Sequence, residues 1–195
     1  MILSNLNAQN NQQIVTDMYY ESHGKSIVFD RVKEVRNSLK LDTLENGYDS
    51  IQLRLWLTPS RSDEFQVFCL KRKNHIWSSV CYDVSAFFNK NRDSILFYKK
   101  EAHQLAPKSS WETIFKKLVK LNVLTLPDFR KLKKYPKPFD GGNSITIEIA
   151  TIKWYKIYMF QEPNYNKKKF KEAQDLDNIL KLISYEFNLQ LIDKF

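Results

Sequence analysis

Ser50–Leu57 reads SIQLRLWL, and its alternation decides the fold class. Ile51, Leu53, Leu55 and Leu57 fall on one side of an extended chain, with Gln52, Arg54 and Trp56 on the other. A period of two is what a strand needs when its two faces meet different surroundings. Toward the C-terminus, Pro59 within Thr58–Asp63 marks a turn. Three further extended runs follow: Glu64–Leu70, His75–Val84 and Ser94–Lys99. The links between them are short and polar, so neighbours pair antiparallel, because a parallel pair needs a long crossover.

The period then changes. Trp111, Ile114, Phe115, Leu118 and Leu121 recur at helical spacing, and Ser109 with Glu112 is placed as a capping box ahead of them. Asp128–Gly142 reads as a basic loop. Asn143–Ala150 (NSITIEIA) returns to alternation, with Ile145, Ile147 and Ile149 on one side and Glu148 on the other. Lys153–Gln161 is expected to pair with it as a hairpin. Pro163 breaks the chain, and Phe170–Asn188 carries Ala173, Leu176, Leu180, Ile183 and Phe187 along one side of a helix. Upstream, Ile27–Leu41 has the spacing of a short amphipathic helix.

Strands first, then helix, hairpin and helix, without βαβ alternation, specify an α+β fold: a single antiparallel sheet with helices packed on one face. The helices at Trp111 and Leu176 are expected to cover one sheet face, with the Ile51–Leu57 and Ile145–Ile149 rows as the surfaces they seal. Residues 1–13 read as a tail and 14–195 as one domain.

The formal net charge of +9 is concentrated in two places. Lys116–Lys137 sets eight basic residues against Asp128 alone, and Lys153–Lys171 sets six against Glu162. Such clusters attract phosphate, anionic surfaces or acidic proteins, although a solvated lysine face is the commoner use. No apolar run approaches the length of a membrane-spanning helix. Cys69 and Cys81 form no CxxC pair; a disulfide in an oxidising compartment and two buried thiols both fit. Met1–Gln9 (MILSNLNAQ) resembles the last part of a secretory signal without its basic front, so an exported or periplasmic protein is expected, with a cytoplasmic one the alternative.

No GxSxG, HExxH, GxxxxGK[ST] or GxGxxG occurs, and His23, His75 and His103 are scattered in sequence and read as surface or loop residues. No catalytic residue, metal or cofactor is assigned on this basis. Two sets of residues remain as candidate binding sites. The first is a surface of Arg54, Trp56, Trp77, Trp154 and Tyr155, the residue types of interface hot spots, to which Lys131, Lys133 and Lys134 add a basic loop. A second small core under the N-terminal helix is the competing reading of that face. The other set is the loop Asp140, Gly141 and Gly142 with Glu148, an acid on the polar side of its strand that has Arg54 and Lys156 as candidate partners.

Asp175-Leu176-Asp177-Asn178-Ile179-Leu180-Lys181 resembles the metal-binding helix of RusA-type Holliday-junction resolvases. That family needs a further acid downstream, for which only Glu186 and Asp193 remain, and the two aspartates project to opposite sides of a helix. An amphipathic helix with an Asp177–Lys181 surface pair is preferred. A broader resemblance covers Trp111–Phe187. Trp111, Leu126-Pro127, Asp140-Gly141, Ile147-Glu148, Pro163 and Glu172-Ala173, with Arg54-Leu55-Trp56 upstream, are similar to a group of uncharacterised, exported bacterial proteins. That resemblance implies one domain and export and transfers no catalytic residue.

Three functions follow as expectations. The leading one is a non-catalytic protein of the cell envelope that binds another protein. The second is binding of nucleic acid or another polyanion through the clusters 116–137 and 167–171. The third is an unrecognised hydrolase grouping Asp140, Glu148 and a histidine in one pocket.

Overall fold

The computed structural model describes residues 27–60, 62–91, 94–136 and 142–191. The tail at 1–13, the signal-like stretch, His23, Asp140 and Gly141 lie outside the described residues.

Six strands form one antiparallel sheet: β1 (Ile51–Thr58), β2 (Glu64–Lys73), β3 (Ile76–Phe88), β4 (Ile95–Leu105), β5 (Ser144–Thr151) and β6 (Tyr155–Gln161). Their order across the sheet is β4-β3-β2-β1-β5-β6. The first four strands make a meander, and the later β5–β6 hairpin docks along the free side of β1. Leu53, Leu55 and Leu57 stand opposite Ile149, Ile147 and Ile145. The two aliphatic rows read from the sequence are therefore one continuous surface.

That surface is covered by α2 (Trp111–Lys120) and α4 (Lys171–Phe187). Ile114, Leu118, Leu176, Ile179 and Ile183 are fully buried against Leu53, Leu55 and Ile147. Burying each of these side chains contributes on the order of 2 kcal/mol. The helix at 111–120 starts from Ser110, not Ser109: the Ser110 hydroxyl accepts from the Thr113 N–H at 3.3 Å. Glu112 is turned away from the cap and accepts from Trp77 Nε1 at 3.1 Å. The helix therefore begins one residue later than the capping-box spacing predicts.

The opposite face is not bare. α1 (Ile27–Ser38) and the segment after it lie across it, and Val32, Val35, Leu39 and Leu44 pack on Trp56, Val67, Cys69 and Ile157. The sequence pattern hides this, because β1 needs polar Gln52 and Arg54 on this side as well as Trp56.

β4 runs to Leu105, well beyond the expected end at Lys99. Its second half, KKEAHQ, has no apolar row because nearly every side chain there is exposed. The β2–β3 connection narrows to Asn74-His75, both at positive φ (50° and 65°), as the favoured two-residue hairpin turn requires. Pro163 does not merely break the chain; it opens α3 (Pro163–Asn166), a single turn in the first-turn position that suits proline.

Candidate functional site

Alternate positions of β1 face the α1 side, and there they assemble a buried polar cluster. Arg54 stands directly across from Glu148. Glu148 is fully buried; its Oε2 accepts from Trp56 Nε1 at 2.7 Å and its Oε1 from the Tyr155 hydroxyl at 2.9 Å. Arg54 Nη1 lies 3.9 Å from Glu148 Oε2, and Arg54 Nη2 donates to the Asp42 carbonyl at 2.7 Å. Turning the Gln52 amide so that its oxygen faces the guanidinium gives that oxygen two donors, Arg54 Nε at 3.0 Å and Nη2 at 3.2 Å. From α1, buried Arg36 pairs with Glu45, which also accepts from the Leu44 N–H at 3.0 Å.

The titration of the two acids follows from these partners. Burial pushes the Glu148 carboxyl up, and Arg54, Trp56 and Tyr155 only partly oppose it. Burial also works against the Glu45 charge, but the Arg36 guanidinium and backbone N–H groups outweigh it and hold that carboxyl below its ordinary value. Tyr155 is pushed far up by burial and then by the neighbouring Glu148. Every oxygen of Glu148 is thus occupied by protein, and the cluster ties β1, β5, β6, α1 and the 42–45 segment together.

Arg54 and Tyr155 are therefore interior residues, not a binding surface, because α1 and the segment after it cover them; Trp56 is buried with them, at 4% exposed, and also lines the groove beside the cluster. Trp77 and Trp154 belong to the other side of the sheet. Trp77 stacks parallel to Trp111 with centroids 6.5 Å apart, under Arg72 at 5.6 Å, and Trp154 packs on the α2/α4 core from the β5–β6 turn. Of the two partners proposed for Glu148, Arg54 is the one met. Lys156 stands opposite Ile149 on the other face, with Nζ 3.5 Å from the Leu124 carbonyl.

Beside the polar cluster lies a groove of about 420 Å³. Trp56 and Thr146 form its floor. Val28, Arg31 and Val32 of α1 form one wall, and Phe88, Ile95 and Tyr98 at the end of the β3–β4 hairpin form the other. Phe65, Asp63 and Gly142 complete the lining. Of the glycine-loop candidates, Gly142 is thus at the groove. At the hairpin end of β4, Ile95, Leu96 and Phe97 are 42%, 64% and 56% exposed; Phe97 stands opposite Phe87 on the far face of the sheet from the groove and stacks on it at 4.6 Å. Sequence reasoning missed this site. Its signal was the run Ser94–Tyr98, apolar on consecutive residues rather than alternate ones.

The basic residues divide. Lys131, the last residue of a 3-10 turn at Phe129–Lys131, and Lys133 and Lys134 on the loop after it are exposed. In the second cluster, Lys167 binds Asp177 at 3.1 Å and Lys171 pairs with Asp175, so part of that charge is internally neutralised. The two aspartates that resembled a resolvase metal site have separate partners. Asp175 also accepts from Asn122 Nδ2 at 2.9 Å, and Asp177 from Lys181 Nζ at 2.8 Å. Both are buried, so the expected surface pair has a buried acid. Among the described residues no group of three or more His, Cys, Asp or Glu is placed to hold a metal ion.

His103 lies 3.0 Å from Asp83 and shares a face with Cys81, whereas Glu148 is on the α1 side. The pocket that a hydrolase reading requires therefore does not join His103 to Glu148. Cys69 and Cys81 are free and buried on opposite faces, so no bridge joins them. Among the described residues no helix is long and apolar enough to cross a membrane. Comparison of the chain with protein-family models, curated proteins and solved structures finds no match.

Proposed function

We propose that the chain is a non-catalytic binding protein that takes an apolar segment of another protein into the groove between α1 and the β3–β4 hairpin. The observation that supports this is the lining itself. A largely aliphatic wall from α1, an aromatic-rich wall from the β3–β4 hairpin and the Trp56 floor form a concavity large enough for two or three side chains, with Arg31 on the α1 side to orient an acidic neighbour. Ile95, 42% exposed, carries the apolar lining to the open side of the groove.

A peptide-display selection against the immobilised protein tests the reading. Selected peptides are expected to share apolar anchors. Their binding should be lost in Ala86→Trp, which fills the groove from β3, and kept in Tyr165→Ala, at a side chain 80% exposed on α3. Absence of selected peptides, or equal binding to Ala86→Trp, disproves it. Equal folding of the variants is checked by circular dichroism and thermal melting.

A further inference from the structure

The groove uses one end of β4; the rest of that strand has a free edge. β4 is the outermost strand on its side, and among the described residues nothing pairs with its outer edge. It is eleven residues long, holds no proline, and has its one irregularity near the hairpin end, where the register with β3 shifts between Phe87 and Phe88. Long exposed edges of this kind are templates for another strand.

We propose that β4 pairs with β4 of a second copy of this chain, antiparallel about a two-fold axis at Lys100. A two-fold dimer joined through one edge strand must pair that strand antiparallel, and directly opposite residues then share a face. Only registers centred on a residue satisfy both conditions. Centring on Lys99 sets Lys99 against itself, and centring on Glu101 sets Glu101 against itself; both are exposed, on the same face. Centring on Lys100 instead places Lys99 of each copy opposite Glu101 of the other. Two attractive cross-strand pairs result.

The same register sets Phe97 opposite His103, and Tyr98 opposite Ala102 on the other face. The residue on the axis is suited to its place. Lys100 Nζ is drawn back over the Tyr82 ring at 5.1 Å and bonds to the Leu39 carbonyl, so the two lysine charges are pulled apart. The partner is thus a second copy, selected by charge complementarity along seven residues from Phe97 to His103. This pairing does not depend on the groove, and Ala86→Trp leaves it intact.

Sedimentation velocity of the full chain over a concentration series tests the proposal. The wild type is expected to form a dimer that weakens with salt. Lys99→Glu alone, or Glu101→Lys alone, turns both pairs repulsive and is expected to weaken the dimer about tenfold or more. The double variant restores it. Lys100→Cys is expected to form a disulfide-linked dimer under mild oxidation, because opposite Cα atoms about 4.5–5.5 Å apart fall within disulfide reach. A wild type that stays monomeric at its solubility limit overturns the proposal. So does a dimer indifferent to the single charge changes, or a monomer that takes up a foreign strand peptide along β4 instead.

Discussion

Arg54 and Glu148 face each other across the β1–β5 ladder with Nη1 3.9 Å from Oε2, and neither side chain is more than 1% exposed. The pair sits under α1, where Trp56 and Tyr155 fill the remaining needs of the carboxylate. A buried pair of this kind costs desolvation on both sides, so its removal by halves is the informative experiment.

Replacing Glu148 by Ala leaves Arg54 charged, buried and without its counter-ion. Loss of one partner of a buried pair costs about 3–5 kcal/mol. Urea denaturation is expected to show a loss of that order for Glu148→Ala and a smaller one for Glu148→Gln, which keeps the shape and one acceptor. Equal, sub-kilocalorie losses would show that the cluster is not coupled to stability.

The same carboxyl sets a pH dependence. Its folded pKa is raised by burial, so the folded state binds its proton more readily than the unfolded state. Its contribution is therefore most favourable at low pH and declines as pH rises from the ordinary carboxylate range through the raised value. Glu45, held low, acts in the opposite sense and loses its contribution as pH falls. Comparison of urea midpoints for wild type and Glu148→Gln isolates the first effect. Wild type should gain on the variant as the pH is lowered from neutral toward the carboxylate range, and a constant difference would refute it.

Burial pushes the thiol of Cys69 up to about 11 and that of Cys81 up to about 12. The thiolate is the reactive form, so both should resist alkylation in the native protein at mildly alkaline pH and react only in denaturant. Mass spectrometry after iodoacetamide treatment counts the labels. An oxidised native sample should contain no Cys69–Cys81 bridge, and rapid native labelling of either thiol would contradict the burial.

The two serines ahead of α2 separate by function. Ser110 caps the helix, so Ser110→Ala should cost about 1 kcal/mol. The Ser109 N–H donates to Glu186 at 2.9 Å, and the buried Ser109 hydroxyl lies beside the same carboxylate and helps hold it below its ordinary value. Ser109→Ala keeps that backbone bond, leaves the helix cap intact and should cost less than Ser110→Ala. Thermal melts of the two variants distinguish them.

Local pattern alone made the strands, the principal helices and the sheet class legible. Ile51–Leu57 and Ile145–Ile149 each alternate strongly enough to fix their own faces; that the two strands lie side by side is decided by the tertiary structure. What depends on atoms distant in sequence was not legible. Arg54 and Trp56 look like surface residues in SIQLRLWL, since only the docking of α1 makes their side of β1 an interior. Glu148 takes Arg54 and leaves Lys156 because strand register puts one lysine on the wrong face. The full length of β4 was hidden because Lys99–Gln104 is exposed and carries no apolar row to read, and the groove at its hairpin end was hidden because α1, far off in sequence, supplies one of its walls. The sequence by itself determined which segments extend, which coil and which rows must leave water. Only the tertiary structure decided which polar groups are buried together and which edge stays open, because both depend on how elements far apart in the chain cover one another.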